Sequence, residues 1–441
     1  MKYVKYKYSG IEWLSEIPEH WTTDRLKNIF SFGTGLSITK KDLLEVGIPC
    51  VNYGEIHSKY GFEVNPEIHS LKCVPEECLT TSKKSLLKKG DFVFADTSED
   101  IEGSGNFTYL NSSKKAFAGY HTIAAKPKRN LSHRYVAYLF DSLSFRNQFK
   151  SNVVGIKVYS ITQGLLNRLK IYFPTNQEQT TIAKYLDAKT QAIDKKINLL
   201  TKKADYYKEL RKSIINDAVC KGLDKNVKLK ESGIEWIGQM PEHWKVKRLK
   251  DVVLINRKTL DEKTAPTYQF KYIDIGNVGS TGSLENIEIV NFENAPSRAR
   301  RIVKKGDVIV STVRTYLKAI ATINFEANDV VVSTGFAVLT SIPTVDANYV
   351  GYFVQSDFFV DRVIMYSSGV SYPAINATTL STIAFLNPPL FEQTTIANYL
   401  DKKTQKIDAI VTNIGKQIET LKELRKTLIS DVVTGKIKVT N

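Results

Sequence analysis

The run Ser311-Thr312-Val313-Arg314-Thr315-Tyr316-Leu317-Lys318 packs hydroxyls, an aromatic ring and two cations into eight residues. Arg matches base edges in the DNA major groove, and Lys, Ser, Thr and Tyr serve phosphates. Arg314, Thr315, Tyr316 and Lys318 are therefore candidates for DNA contact. An equivalent stretch earlier in the chain, Ala95–Asp100 leading to Asn106, carries the opposite charge. Its candidates are Thr97, Ser98 and Asn106, with acidic neighbours able to accept from cytosine amino groups. A drifting surface loop would show the same contrast. A second pair of segments starts with Gly: Gly155–Ser160 and Gly369–Ala374. Lys157, Tyr159 and nearby Gln163 are candidates in the first, and Tyr372 and nearby Asn376 in the second; ordinary hairpin turns are the alternative. Arg298, Arg300 and Arg301 form a basic cluster suited to phosphates or to a solvated face.

Signals for catalysis are weaker. Asn387-Pro388-Pro389-Leu390 resembles the Asn-Pro-Pro-aromatic element of adenine methyltransferases, but Leu390 stands where a ring would stack on a flipped base. The stretch reads better as a turn before a helix, and Gly103-Ser104-Gly105-Asn106 as a turn rather than a cofactor loop. No Gly-x-x-x-x-Gly-Lys-Ser/Thr loop is present. Cys73 and Cys78, with His57 and His69 upstream, fit no standard zinc spacing. No catalytic residue and no metal site is assigned.

These groups need a scaffold, and the chain writes it twice. Ser9-Gly10-Ile11-Glu12-Trp13, Pro18-Glu19-His20-Trp21 and Arg25-Leu26-Lys27 recur at an offset of 223 residues. Glu178-Gln179-Thr180-Thr181-Ile182-Ala183, Tyr185-Leu186-Asp187 and Glu209-Leu210-Arg211-Lys212 recur at 214. Between these blocks lies a diverged insert, in which Lys88-Lys89-Gly90-Asp91 still matches Lys304–Asp307. The Cys and His residues of the zinc alternative have no counterparts in the second insert. The four tryptophans all lie in the repeated frame, which favours a packing role.

The inserts read as β-rich, with strands at Phe92–Ala95, Val308–Ser311, Val330–Val332 and Phe336–Leu339. Amphipathic helices are predicted over Tyr135–Phe149 and Asn348–Met365. After each insert runs a heptad seam: Leu186, Thr190, Ile193, Ile197, Leu200, Ala204, Tyr207, Arg211, Ile214 and Ala218, repeated from Leu400 to Val432. At 1.5 Å per residue each helix would be about 60 Å long. A stripe that long needs a partner, and the other copy is the obvious one. Packing of each helix on its own insert is the alternative. The fold class is α+β: two tandem repeats, each a mixed β-rich domain followed by a long helix, the helices pairing as an antiparallel coiled coil. The expected divisions are 1–175, 176–222, 223–388 and 389–441.

The 441 residues carry 62 Lys+Arg against 46 Asp+Glu, a net charge of +16 that favours polyanions. With 42% hydrophobic residues, the chain is neither disordered nor a bundle of membrane spans. Four cysteines and no apolar leader point to a reducing, cytoplasmic setting.

The repeated blocks Gly10–Trp13 with Pro18–Trp21, and Gly233–Trp236 with Pro241–Trp244, resemble those of type I restriction–modification specificity (S) subunits. So do Pro174–Ala183, Pro388–Ala397, Lys88–Asp91 and Lys304–Asp307. The resemblance spans essentially the whole chain. It implies two target-recognition domains, 1–175 and 223–388, each reading half of a bipartite site in double-stranded DNA. It implies a non-catalytic subunit docked to two methyltransferase subunits, with motor-nuclease subunits in the full complex. S-adenosylmethionine, ATP and Mg would then belong to those partners. The rivals are a stand-alone methyltransferase or nuclease, and a coiled-coil scaffold without DNA specificity.

Overall fold

The computed structural model describes residues 2–153, 158–279 and 281–439. The chain divides into two compact units, Met1–Leu200 with Lys416–Asn441, and Thr201–Gly415.

In the first unit a five-stranded sheet runs in the order Phe30–Thr34, Thr122–Pro127, Phe92–Ala95, Phe107–Leu110, Phe62–Val64. Phe92–Ala95 lies near its centre with all four residues buried, as an unbroken apolar run requires. A four-stranded sheet has the order Cys73–Val74, Ile48–Val51, Ala116–Ala118, Leu86–Leu87. The second unit repeats the plan with two four-stranded sheets. One runs Val253–Ile255, Phe336–Ser341, Val308–Ser311, Ile320–Thr322; the other runs Glu288–Asn291, Gln269–Ile273, Val330–Ser333, Ala299–Ile302. The added edge strand Phe62–Val64 is a feature of the first head's larger sheet.

The shared Lys-Lys-Gly-Asp blocks are the turns that feed the central strands. Asp91 and Asp307 are buried, and each carboxylate accepts from the amide three residues back, Lys88 at 3.0 Å and Lys304 at 2.9 Å. Gly90 and Gly306 sit at φ of 89° and 87°, where a side chain is strained.

Each predicted insert helix is broken in two. His133–Asp141 and Leu143–Lys150 flank Ser142; Ala347–Gln355 and Asp357–Met365 flank Ser356. Both serines adopt extended backbone, donate to the carbonyl three residues back at 2.6 Å, and accept from the amide three residues ahead. The hydroxyl thus ends one helix and caps the next. Apolar periodicity resumes after the corner, which is why the break is silent in the hydrophobic pattern.

The long helices are Asn176–Lys221 and Leu390–Val433. At the first, Thr175 and Glu178 form a reciprocal cap, with Thr175 N and Oγ1 both donating to Glu178 Oε2 at 3.1 Å. His20 Nε2 donates to the same carboxylate at 3.0 Å. In the second unit, His243 Nε2 and Trp244 Nε1 reach Glu392 at 2.6 and 3.0 Å. Gln179 and Gln393 are buried; their carbonyls accept from Ser132 N and Asp346 N, the caps of the insert helices, at 3.1 and 2.9 Å. The repeated Pro-Glu-His-Trp and Glu-Gln-Thr-Thr blocks therefore fasten each head to its helix.

Every seam position is buried or half-buried. Within the first unit, Ile182 and Leu186 share a core with Ile429, Val432 and Val433, and Asp194 meets Arg425 at 3.0 Å. Partners fall from 433 to 425 as the first helix rises from 182 to 194, so the pairing is antiparallel. Within the second unit, Ile215, Ala218 and Val219 join Ile396, Ala397 and Leu400, and Arg211 meets Asp408 at 3.1 Å. The Arg211 Nε–H does not point along that contact, which is Coulombic rather than hydrogen-bonded. Each helix also packs on its own head: Tyr138 donates to Asp187 and Tyr352 to Asp401, both at 2.7 Å. The two packing alternatives are both realised. Trp21, stacked on Tyr172, and Trp244 are fully buried, whereas Trp13 is exposed.

Candidate nucleic-acid interface

The two candidate segments of each insert meet. In the first head, Thr97–Ser98 pairs antiparallel with Tyr159–Ser160, and Ile161 N donates to Asp96 O at 2.7 Å. In the second, Val313 bridges Ala374, and Ile375 N donates to Thr312 O at 2.9 Å. One backbone device, built from equivalent residues, thus presents different side chains in the two copies.

In the second head the bridge opens on a cleft of about 840 Å³, lined by Asp274, Arg298, Val313, Arg314, Leu317 and Thr334 among others. Arg314 is exposed and makes no ion pair among the described residues; its guanidinium lies 4.8 Å from the centre of the Tyr372 ring. Tyr316 and Lys318 are exposed beside it. Thr315 is buried and shares a 2.9 Å hydrogen bond with Ser367, so it braces the loop. Asn376 caps the helix Ala377–Ser381 by accepting from Thr379 N at 2.7 Å.

The three arginines of the basic cluster do not converge. Arg298 reaches Asp274 at 3.2 Å and Tyr272 Oη at 3.3 Å. Arg300 lies over Phe292 at 4.9 Å. The Arg301 Nε is buried without a hydrogen-bond partner among the described residues, and burial pulls that guanidinium's pKa down. The strand Ala299–Ile302 is irregular between Ala299 and Arg301, so Arg300 falls outside the regular pairing and the arginines are turned apart.

In the first head, a cleft of about 760 Å³ is lined by Tyr53, His57, Thr97, Ser98, Asp100, Glu102 and Asn106 among others. Asn106 is spoken for at both ends: its amide donates to His57 Nδ1 at 2.8 Å, and its carbonyl accepts from Arg146 at 2.8 Å. His57 Nε2 faces the Thr97 carbonyl at 2.8 Å, which can only accept, so the proton sits on Nε2. Ser98 is buried and accepts from Asp100 N at 3.4 Å. Tyr159 is half-buried, and Gln163, first residue of the helix Gln163–Arg168, lines a neighbouring cleft with Asp96, Tyr120 and His121. Lys157 lies outside the described residues. His57, Arg146 and the ring cluster of Tyr53, Tyr120 and His121 carry no local sequence signal; they meet only through the fold.

Cys73, Cys78, His57 and His69 do not gather: His69 stacks on Tyr60, His57 faces Thr97, and Cys73 lies in an edge strand. Asn387–Leu390 closes the strand Ala384–Asn387 and starts the second long helix, with Asn387 accepting from Gln393. Among the described residues no helix is long and apolar enough to cross a membrane.

Two β-rich heads of one plan, each presenting a bridged polar loop and each fastened to antiparallel helices, define a duplicated recognition protein. The chain belongs to the type I restriction modification DNA specificity domain family, which matches residues 18–202 and again 241–420. It is 24% identical over 433 residues to the MjaX type I restriction enzyme specificity subunit of Methanocaldococcus jannaschii, covering 97% of this chain and 96% of the relative. It is 25% identical over 313 residues to the MjaVIII specificity subunit of the same organism, covering 69% and 71%. A solved chain from a type I R-M system shares the fold, with a TM-score of 0.70 at 16% identity over 96% of this chain and 99% of that one.

Proposed function

We propose that this chain is the non-catalytic DNA-recognition subunit of a type I restriction–modification complex. Each head reads one half of a bipartite duplex site, and the length of the paired helices sets the number of base pairs between the halves. Two methyltransferase subunits dock on it, and motor-nuclease subunits join the full complex. S-adenosylmethionine, ATP and Mg act in those partners. The observation that carries this reading is the equivalent β-bridge in the two heads, which holds one backbone geometry while exchanging acidic and basic side chains. That is what two readers of different sequences on one scaffold require.

The test is the methylome of cells carrying this chain with its methyltransferase. Exchanging residues 30–170 for another insert changes one half-site only; a change in both overturns the modular reading. Matched heptads added to both helices lengthen the gap and leave both half-sites intact. The purified chain alone, given DNA, S-adenosylmethionine and Mg, transfers no methyl group and cuts nothing; activity would favour the enzyme reading.

A further inference from the structure

Arg314 is held in a way that a phosphate clamp does not need. Its backbone is left-handed, at φ 49° and ψ 48°, and Lys318, four residues on, is left-handed as well. Between them lies a single 3-10 turn, Thr315–Leu317, tied down by the hydroxyl contact between Thr315 and Ser367. Non-glycine residues at such angles store strain, which surrounding contacts must hold. Here the bridge of Val313 to Ala374 and the bond from Ile375 N to Thr312 O do so.

The side chain has a resting place as well. The guanidinium rests over Tyr372 while no carboxylate takes its donors among the described residues. Arg298, in the same cleft, differs: Asp274 and Tyr272 already occupy it. Exposed apolar groups accompany Arg314: Tyr372 beneath its guanidinium, and Tyr316 and Leu317 in the turn that follows it, are each about half exposed or more. A phosphate can be met by a point charge such as Lys, with no single fixed orientation. A base edge favours a planar fork held in one orientation, beside apolar surface that can meet thymine methyls.

We infer that Arg314 reads a guanine in the half-site of the second head, donating to its N7 and O6 from the major groove, with Tyr372 as the positioning residue. The inference rests on the proposed function and adds the base and the groove. In the first head the equivalent loop residues are Thr97, Ser98 and Glu99, none of which carries a guanidinium.

The experiment uses the full chain with its methyltransferase partners. The bipartite motif of the unaltered complex is read by methylome sequencing, and binding is measured on duplexes bearing that motif. With Arg314→Ala, one guanine of one half-site becomes degenerate and the other half-site stays fixed. Arg314→Gln moves the preference at that position toward adenine, a gain that misfolding cannot produce. Replacing that guanine by 7-deazaguanine weakens binding of the unaltered complex about ten- to hundredfold and costs Arg314→Ala nothing further. Hypoxanthine, which lacks only the minor-groove amino group, is tolerated. Tyr372→Phe keeps the guanine, whereas Tyr372→Ala relaxes it. An unchanged motif in Arg314→Ala, an equal loss over both half-sites, or indifference to 7-deazaguanine overturns the assignment and leaves the proposed function standing. If the unaltered complex methylates no bipartite motif, the proposed function itself fails.

Discussion

Arg425 of the second long helix meets Asp194 of the first at 3.0 Å, and also approaches Asp141 of the first head at 3.6 Å. Its repeat counterpart, Arg211, meets Asp408, the counterpart of Asp194. One arginine–aspartate rule is thus applied once in each unit, with the helices exchanging roles. A seam arginine is costly to bury alone, and the partner carboxylate makes it a register mark.

Exchanging the pair tests the mark. Arg425→Ala and Asp194→Ala each lower stability, and the double-mutant cycle gives a coupling of about 0.5–1 kcal/mol, because both side chains remain partly exposed. Arg425→Ala costs more than Asp194→Ala. Burial already pushes the Asp141 carboxyl up, and losing Arg425 removes one of two cations that oppose this. Urea unfolding of the four chains measures the cycle; zero coupling would show that the contact sets nothing.

Gln179→Ala should be among the more damaging polar substitutions. It removes the acceptor of Ser132 N and the donor to Pro174 O in a buried setting. The expected cost is about 1–3 kcal/mol, seen as a lower melting temperature. Gln393→Ala should match it, since it meets Asp346 N and Pro388 O in the same way.

Glu178 ties acid stability to the helix start. Burial works against its carboxylate, but the hydrogen bonds from His20 and Thr175 outweigh it and hold the pKa below the usual value. A lowered acid pKa stabilises above the unfolded value of about 4.3 and loses that contribution as pH falls through the folded value. Glu178→Gln is therefore less stable than the parent at neutral pH. The gap closes below about pH 4. Melting curves from neutral to acid pH check it, and a gap that widened in acid would reverse the sign.

Lys318 is exposed four residues after Arg314 in the candidate interface loop. Lys318→Ala should weaken DNA binding evenly across sequences and flatten the slope of log K against log salt by about 1. A change of motif instead would make Lys318 a base reader.

Deleting residues 416–441 should open the first head and spare the second. Ile429, Val432 and Val433 lie in the same core as Trp21, Tyr135 and Phe173, and Tyr6 donates to Gly435 O at 3.0 Å. The expected signs are a red-shifted Trp21 emission and rapid proteolysis within residues 1–175, with the second head's core intact. A truncated chain with a protected first head would refute this.

The fold was legible wherever the chain repeats itself or keeps a period. The strands at Phe92 and Val308 and both long helices follow from local pattern, because burial of a stripe or an apolar run is a local demand. The corners at Ser142 and Ser356 were not, since one hydroxyl redirects the backbone without disturbing the period. At the candidate interface, the paired loops could be found singly, but their bridges join residues about sixty positions apart. The Arg146–Asn106–His57 chain is equally non-local. The repeated Gln179 and Gln393 were in view, and their service to the insert-helix caps needed the fold.

The sharing of the long helices has a consequence for synthesis. The first head's core is sealed by Ile429, Val432 and Val433, more than two hundred residues after its last strand, Lys170–Phe173. As the ribosome delivers the chain, that head waits with an open flank while the whole second head emerges. Its apolar flank is then a holdase's natural target, and the protein matures in the reverse of the order in which its heads are made.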